Sequence, residues 1–593
     1  MARTRQGRRS KRSEARHGTA GPLEVTDDVA VVGEATEATG AERGTRRAGP
    51  PSPPAASDES GIPARVARLF VPAGILILLV AAALRLPELA LNPFHHDEGV
   101  NGLFMTTLVR DGAYRYNPAN YHGPTLYYFA LASEILFGLT TEAMRLVPVV
   151  FGLVTVAGVL ALRPVFGAIP VLTAAALLAV SPGSVYVSRY FIHEALLVAF
   201  SLTLVLSALL YLRSGRPLWV LAGAASAALL FATKETGIIT VAVLGIAAVV
   251  SGVYVNLRAG RSAFASPPRT SRRGPKPKRP AKSIWIDGVE YRAAADGAEV
   301  PSGPSWRSGR GPKPELIATA GIVFASIYVL FFSSFFTNYP KGLVDSLATF
   351  TIWTQTSGET QVQPLHQYLA WMLAADGPIL VLGVAGGLIA AIRARDRLWT
   401  FVGLWAAGVT LAYSLVSYKT PWIIVNMLLP LALLAGLAIR DLLGARGPLR
   451  ISAPAVLVAA LGLSTFQAWD LNFRHYDDET YPYVFVHTTR EALDLVNEIE
   501  ATGTRLGTGK DTAITIVARD YWPLPWYLRD HPKAGFFGSI VETQESLILA
   551  SVAQRAELAP TIEGRYRSIG TYTLRPGVEL ELYLRSDLGT AAP

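Results

Sequence analysis

Long apolar runs constrain the fold of this chain more than any other feature of its sequence. Of its 593 residues 51% are hydrophobic and only 17% are charged, and the mean hydropathy is +0.32. About eleven runs approach the ~20 residues that a helix needs to cross a bilayer. The sequence therefore predicts an all-α polytopic membrane protein. The predicted spans lie near 67–91, 143–163, 166–183, 191–212, 217–233, 236–256, 314–336, 367–392, 398–416, 422–440 and 451–468.

The positions of Lys and Arg between these runs predict the orientation of the chain. Cytoplasmic loops of membrane proteins carry an excess of Lys and Arg. Alternate loops of this chain are basic and share the side of the basic N-terminus. The sequence thus predicts a multi-pass protein of the cell membrane with a cytoplasmic N-terminus and an exoplasmic C-terminal part. The basic positions are Arg163, Arg213, Arg216, Arg393, Arg395, Arg397, Arg440, Arg446, Arg450 and the 257–313 loop.

Net charge and cysteine content exclude some classes of function. The formal net charge is +9, but the basic loops account for this excess, so no nucleic-acid partner is predicted. The chain has no cysteine, which excludes disulfides, thiolate catalysis and thiolate metal sites.

The segments outside the spans divide the chain into three predicted parts. Residues 1–65 are too polar to form a core and are predicted to be a disordered cytoplasmic tail. Residues 66–469 form the transmembrane domain, with an outer loop at 92–141 and a basic, Pro- and Gly-rich, largely disordered cytoplasmic insert at 257–313 that suits contact with anionic membrane lipids. Residues 470–593 form a small exoplasmic α/β domain.

Local sequence patterns predict the C-terminal α/β domain and one helix at the membrane interface. A helical pattern at Thr488–Ala501, a strand-like run at Ala513–Val517 and an alternation at Val578–Leu584 predict the α/β domain. The run Tyr127–Leu139 is about 13 residues long and contains Glu134. It is therefore predicted to be a helix that lies at the membrane interface and does not cross it.

Four consecutive ionisable residues, His95 to Glu98, follow the first span in the predicted outer loop. Two carboxylates beside two imidazoles suit acid–base chemistry on a membrane-borne substrate. Alternatively, Asp97 caps the following helix and Glu98 favours its dipole. Apolar residues at helical spacing place Asp97 near the first turn of an amphipathic helix that lies against the membrane. These residues are Val100, Leu103, Phe104 and Leu108.

Three cations occur at outer ends of spans, where the charge rule disfavours them. They are Arg189, Lys234 and Lys419. An anionic lipid phosphate would explain all three, because Arg and Lys both bind phosphate. The alternatives are side chains that extend to the interface, or ion pairs with Glu194 or Glu235.

The histidines of the chain are compatible with a metal site, but their spacing does not specify one. His193 and Glu194 follow Arg189, but Leu197 excludes the HExxH zinc motif. His122 shares the outer loop with Asp97, and His366 is predicted to be an interfacial polar residue. A divalent metal would find ligands among His95, His96, Glu98 and His193.

The order of these features resembles the GT-C superfamily of membrane glycosyltransferases, in particular the protein O-mannosyltransferase and aminoarabinose transferase group. Asp97-Glu98 matches the position of the acidic motif in the first outer loop of that group. Arg145-Leu146-Val147-Pro148 matches its Arg-Leu-Pro run only in part, because Val147 intervenes. Four further segments look most like a flippase activity-associated branch of the group. They are His96-Asp97-Glu98-Gly99, Tyr121-His122-Gly123-Pro124, Ser188-Arg189-Tyr190-Phe191 and Tyr418-Lys419-Thr420-Pro421-Trp422.

This resemblance implies that a sugar moves from a polyprenyl-phosphate donor to an acceptor (a protein, a glycan or a lipid) on the outer face. Asp97 would be the catalytic base, and Glu98 would position the acceptor or a metal. Arg189, Lys234 and Lys419 would neutralise the leaving phosphate. Two other functions remain open, a lipid-linked-sugar flippase and a non-catalytic accessory protein of a glycosylation pathway. The remaining candidate substrate-binding residues are His96, His122, His193, Glu194, Glu235 and Tyr418.

Overall fold

The computed structural model describes residues 61–588 except 121, 261, 264–282, 287–288, 294–298, 302–310, 357–361 and 394–395. The predicted tail therefore lies outside the described residues, apart from its last five. The helices that precede the C-terminal part are α1 (Gly61–Arg85), α2 (His96–Asp111), α3 (Thr125–Phe137), α4 (Thr141–Ala161), α5 (Arg163–Phe166), α6 (Ala168–Val180), α7 (Pro182–Ser188), α8 (Glu194–Ser214), α9 (Pro217–Phe231), α10 (Gly237–Arg258), α11 (Pro314–Phe332), α12 (Lys341–Thr356), α13 (Gln367–Ala375), α14 (Gly377–Arg393), α15 (Arg397–Leu415), α16 (Val425–Leu443) and α17 (Pro448–Trp469).

The apolar runs form helices, as the sequence predicts. Within the described residues, eight helices are long and apolar enough to cross a membrane. The number of spans rises to ten if each of two bent helix pairs crosses the membrane as one span. These pairs are α6 with α7, bent by 61°, and α13 with α14, bent by 117°. The predicted span 217–233 is α9, which has only 15 residues. The run predicted to lie at the interface is α3, 13 residues long, and its place relative to a membrane stays a prediction.

Helix α16 is the centre of the membrane domain and is buried over its apolar length. It packs against α6, α14 and α15. Glycines allow two of these close approaches, because a β-carbon at Gly386 would lie 1.9 Å from the carbonyl oxygen of Leu434, and one at Gly436 would lie 2.2 Å from that of Pro170. Small residues at helix contacts are typical of membrane proteins, where close packing replaces the hydrophobic effect.

The C-terminal part contains the predicted helix and strands. Its helices are α18 (Glu491–Arg505), α19 (Leu524–Tyr527) and α20 (Arg555–Ile562). The strands among the described residues are β1 (Ser283–Ile286), β2 (Val289–Ala293), β3 (Glu299–Pro301), β4 (Ile514–Ile516), β5 (Ala534–Phe536), β6 (Leu547–Ser551), β7 (Tyr566–Arg575) and β8 (Val578–Arg585). The C-terminal sheet has the order β5-β4-β6-β8-β7, in which β4 pairs in parallel with β5 and β6, and β8 pairs antiparallel with β6 and β7.

The basic insert contains more regular structure than its composition predicts. Strands β1, β2 and β3 form a small antiparallel sheet within it. The Pro- and Gly-rich sequence predicted a largely disordered loop, and the apolar run Ile284-Trp285-Ile286 is too short to have outweighed that signal.

The C-terminal sheet domain packs directly on α2. The ring of Trp526 stacks on Phe94 with a centroid distance of 4.8 Å, and the Tyr527 hydroxyl accepts a 2.8 Å hydrogen bond from the Phe94 amide. Two glycines of α2 make room for this contact. A β-carbon at Gly99 would lie 2.4 Å from Cβ of Pro523, and one at Gly102 would lie 2.6 Å from the Trp526 ring. The first turn of α2 is thus held between the membrane helices and the sheet domain.

Candidate active site at the first turn of α2

His95 caps α2, which corrects the suggestion that Asp97 does so. The Asp97 amide donates to Nδ1 of His95 at 3.1 Å, and Glu98 accepts from the His95 amide at 3.0 Å to complete a capping box. Because Nδ1 is the acceptor, Nε2 carries the proton and donates to the Phe485 carbonyl at 2.9 Å. Both ring nitrogens are engaged, so His95 is not placed as a metal ligand as the sequence had suggested.

Glu98 is fully buried and binds Arg145, which corrects the prediction that it contacts an acceptor or a metal. Arg145 donates to both carboxylate oxygens, Nε to Oε1 at 2.8 Å and Nη2 to Oε2 at 2.5 Å. The Phe191 amide donates to Oε1 at 2.7 Å. Both oxygens are therefore occupied by buried donors, and Glu98 faces away from open space.

Arg145 also ties down the loop that leads into α2. It donates to the carbonyl oxygens of Leu89 at 2.6 Å and Asn92 at 2.7 Å, and to that of Pro93 at 3.2 Å. Together, the buried residues Glu98 and Arg145 and their hydrogen-bond partners form what we call the anchor. The sequence marked Arg145 only as part of a motif and gave it no partner.

Asp97 lies on a cavity of about 340 Å³ on the other face of α2. Asp97, Val100 and Asn101 all line it, because residues three and four positions apart share one face of a helix. The cavity also brings together seven of the residues that the sequence analysis proposed. They are His96, His122, His193, Glu194, Lys234, Glu235 and Tyr418.

Some lining residues were not anticipated. Tyr368, Tyr413 and Asn120 line the cavity although no motif marked them. Asn101 had a usable signal, since it follows Asp97 by four positions. Trp422 had one too, because it belongs to the same short motif as Tyr418.

Lys234 and His122 bring two ion pairs into the cavity. Lys234 pairs with Glu194, and Nδ1 of His122 lies 3.1 Å from Oε2 of Glu235. Burial alone would lower the pKa of Lys234, but the carboxylates of Glu194 and Glu235 outweigh it and raise that pKa. Burial opposes ionisation of Glu235, yet His122 and Lys234 hold the pKa of its carboxyl below the usual value. Both Lys234 and Glu235 are therefore charged at neutral pH.

A close backbone approach holds these pairs together. His122 and Lys234 form an antiparallel bridge, and the Gly123 amide donates to the Thr233 carbonyl at 3.0 Å. A β-carbon at Gly123 would lie 2.0 Å from the carbonyl oxygen of Ala232. Only glycine fits there, which explains why the His122-Gly123 sequence can lie against the turn between α9 and α10.

His193 is a neutral imidazole next to the two ion pairs, with its ring centroid 4.9 Å from that of His122. Burial, with His122 and Lys234 nearby, lowers its pKa well below the usual value. Its Nε2 donates to the Gly123 carbonyl at 3.1 Å. Within the described part of the chain, its buried Nδ1 has no hydrogen-bond partner.

Arg189 and Lys419 do not join Lys234 on the cavity, which corrects the prediction that all three bind one phosphate. Arg189 donates to the carbonyls of Pro87 at 2.6 Å and Glu88 at 3.0 Å. Lys419 is 1% exposed and donates to the carbonyls of Gln363, at 3.3 Å, and Val416. Backbone carbonyls thus satisfy the charges that had appeared misplaced.

The candidate metal ligands are also separated. Glu98 binds Arg145 and His95 binds the Phe485 carbonyl, whereas His96 and His193 line the cavity. Among the residues that the structure describes, no cluster of three or more His, Cys, Asp or Glu side chains could hold a metal ion.

A second, apolar groove of about 490 Å³ lies beside the cavity, between α13, α14, α15 and α16. Two neighbouring residues of α13 line the two spaces, Tyr368 the cavity and Leu369 the groove. Glycine and alanine form much of its wall, so the groove can receive a slender apolar chain. These small residues are Gly383, Gly387, Gly403, Ala406 and Ala407.

Comparison with known proteins agrees with this architecture. The model of the dolichyl-phosphate-mannose-protein mannosyltransferase family matches residues 121–265. A search of curated proteins finds no match. Among solved structures, ArnT from Cupriavidus metallidurans bound to undecaprenyl phosphate matches with a TM-score of 0.55 and 16% identity, over 89% of this chain and 99% of that chain. The apo state of the same protein gives a TM-score of 0.57 and 17% identity, over 89% and 98%.

These matches confirm the predicted fold. The chain is a multi-pass membrane protein with the GT-C fold and a small C-terminal sheet domain, the architecture that it shares with ArnT. The assignment to the flippase activity-associated branch stays a prediction.

Proposed function

We propose that the chain transfers a sugar from a polyprenyl-phosphate donor to an acceptor hydroxyl in the cavity beside Asp97. One observation carries the proposal: the same cavity is lined by the ammonium of Lys234 and by the carboxylate of Asp97, which has no ion pair among the residues that the structure describes. A general base and a cation for a leaving phosphate are the two groups that such a transfer needs.

The chemistry follows from these two groups. The acceptor oxygen attacks the anomeric carbon of the sugar while Asp97 takes the hydroxyl proton. The bond between that carbon and the phosphate oxygen breaks, and the phosphate keeps the electron pair. An ammonium has three N–H donors. Glu194 takes one from Lys234, which leaves donors for the phosphate. A single displacement of this kind inverts the anomeric centre.

The apolar groove suits the lipid part of the donor. It adjoins the cavity through α13 and α15, and its small residues leave an apolar channel next to the charged site. The ArnT structure that shares this fold was solved with undecaprenyl phosphate bound. Such a lipid on this chain would place its phosphate in the cavity and its chain in the groove. The basic loops favour a cavity on the outer face, as the sequence predicts.

The test is sugar transfer by purified protein from a panel of polyprenyl-phosphate sugars. We expect Asp97→Asn to lower the rate by a factor on the order of 10²–10⁴, the usual contribution of a general base. Asp111→Asn, at the exposed far end of the same helix, is the matched control and should leave the rate unchanged. Because His95 supplies the helix cap, neither variant should alter thermal stability much. Full transfer by Asp97→Asn would disprove this assignment of the base.

A further inference from the structure

Four aromatic rings form a row that leads from the C-terminal sheet to Asp97. Phe536 lies 5.3 Å from Tyr521, Tyr521 lies 5.6 Å from Trp522, and Trp522 lies 5.9 Å from His96, all measured between ring centroids. All four are half-buried, so each keeps part of its surface in solvent. His96 adjoins Asp97 and lines the cavity. We call these four residues the aromatic row.

The fold explains the row. Strands β4 and β5 are parallel neighbours, so the segments that leave their carboxyl ends meet at one edge of the sheet. Phe536 ends β5, and Tyr521 follows β4. Tyr521 and Phe536 pack one side against the core of the sheet domain. Trp522 lies over Gly99 of α2, where a β-carbon would come within 3.4 Å of its ring.

Charged side chains flank the row where it reaches α2. Arg575 donates to the carboxylate of Asp520 at 2.6 Å, and Asp520 is exposed. Both residues are close enough to His96 to act on its pKa, which Arg575 lowers and Asp520 raises, although burial is the larger influence and the net effect is a lower pKa. Each ring thus keeps part of its surface in solvent, and the exposed carboxylate of Asp520 offers hydrogen-bond acceptors beside the row.

We propose that the acceptor is a saccharide chain that lies along the aromatic row and presents a terminal hydroxyl to Asp97. This inference rests on the proposed transferase function and names its acceptor class. The face of an aromatic ring is electron-rich, so it attracts the C–H groups on the face of a sugar ring. The hydroxyl groups at the rim of that sugar meet Asp520 and Arg575.

Two other kinds of acceptor fit this surface less well. A peptide that adds a strand needs a sheet edge to pair with, but the edge strand β5 has only three residues. A lipid needs a wider apolar surface, whereas the rings are half-buried and flanked by the Asp520–Arg575 ion pair.

The experiment measures saccharide binding without any donor, so its result does not depend on transfer. Full-length protein in detergent micelles is titrated with mannohexaose, cellohexaose and chitohexaose, and binding is followed by saturation-transfer NMR and tryptophan fluorescence. We expect at least one hexasaccharide to bind. We expect Tyr521→Ala and Trp522→Ala each to weaken that binding by about tenfold, the scale of one lost stacking contact. Trp522→Phe should restore most of it.

Two controls separate this inference from the proposed function. Tyr572→Ala changes an aromatic residue of β7 that is not part of the aromatic row, and should bind as the wild type does. Asp97→Asn should lose transfer and keep hexasaccharide binding. The inference is overturned if no hexasaccharide binds, or if the Tyr521→Ala and Trp522→Ala variants bind as tightly as the wild type. It is also overturned if these variants lose binding of a Ser/Thr-rich nonapeptide instead.

Discussion

Asp97 and Glu98 are neighbours in the sequence, and they lie in opposite environments. Glu98 belongs to the anchor, where Arg145 and two backbone amides occupy both of its oxygens. Asp97 lies on the cavity, beside charged residues that pair with one another and not with it. Consecutive residues of a helix point about 100° apart, so one turn of α2 presents one carboxylate to each side.

The difference shows how a rigid support and a reactive group can share one short motif. In the anchor every polar atom of Glu98 is satisfied, which makes the pair costly to break and useless for binding. In the cavity the charges line a space that is open to a ligand. The anchor thus holds the backbone of Asp97 in place, and under the proposed function the cavity receives the substrate.

The largest expected effect comes from breaking the anchor. We expect Arg145→Met to lower the free energy of unfolding by about 3–5 kcal/mol, because it leaves the Glu98 carboxylate buried without its partner. Chemical unfolding in detergent micelles would measure this loss. Replacing both residues, in the double variant Arg145→Met with Glu98→Gln, should recover part of it, since no buried charge then remains.

A surface arginine provides the control for that prediction. Arg110 pairs with Asp111 at the other end of α2, where its side chain is 71% exposed. Arg110→Met should leave stability unchanged within error. Equal losses in the Arg145 and Arg110 variants would contradict the distinction between the anchor and an ordinary surface pair.

Sequence reasoning could locate many of the cavity residues but not the anchor. Apolar length was sufficient to predict most of the spans, because it is a local property of the chain. The position of Asp97 was predictable from the helical spacing that follows it. The pairing of Glu98 with Arg145 was not, because the two residues are 47 positions apart and no local pattern connects them.

The three cations illustrate the same limit. Each lies at a span end, where the sequence alone suggested one shared anion. Whether such a side chain faces a cavity or a backbone carbonyl depends on helix rotation, which tertiary packing decides. Only Lys234 of the three lines the cavity in the described structure. The contact between α2 and the Trp526 ring depends in the same way on Gly102, whose role becomes visible only in three dimensions.

A smaller effect should separate Lys234 from Lys419. Under the proposed function, we expect Lys234→Met to weaken the binding of undecaprenyl phosphate by about 1–3 kcal/mol, the scale of a hydrogen bond to a charged group. Lys234→Arg keeps the charge opposite Glu194 and should bind nearly as the wild type does. Lys419→Met removes an ammonium that donates to the carbonyls of Gln363 and Val416. Lys419 is not among the described residues that line the cavity, so this variant should leave lipid affinity unchanged even if stability falls. Isothermal titration calorimetry would measure these affinities. A larger affinity loss for the Lys419 variant than for the Lys234 variant would contradict the present site and support the original prediction that Lys419 binds the phosphate.

The smallest effect concerns the pH dependence of stability that His487, a buried residue near Arg145 of the anchor, should cause. His487 is 2% exposed, and burial, with His95 and Arg145 nearby, lowers its pKa from 6.5 to about 3. Below pH 6.5 the unfolded chain therefore binds a proton at His487 that the folded chain does not. This contribution to stability is present above the unfolded pKa and falls as the pH drops toward the folded value, by about 1.4 kcal/mol per pH unit.

The measurement compares unfolding at pH 7.5 and pH 5.5 for the wild type and for His487→Asn. The variant should lose about 1.4 kcal/mol less than the wild type over this interval, because it lacks the group that is protonated on unfolding. His95 and His193, whose pKa values are also lowered by burial, remain in both proteins and cancel in the difference. An identical pH dependence in the two proteins would mean that His487 can be protonated in the folded state. Solvent would then reach the buried region around His487 and Arg145.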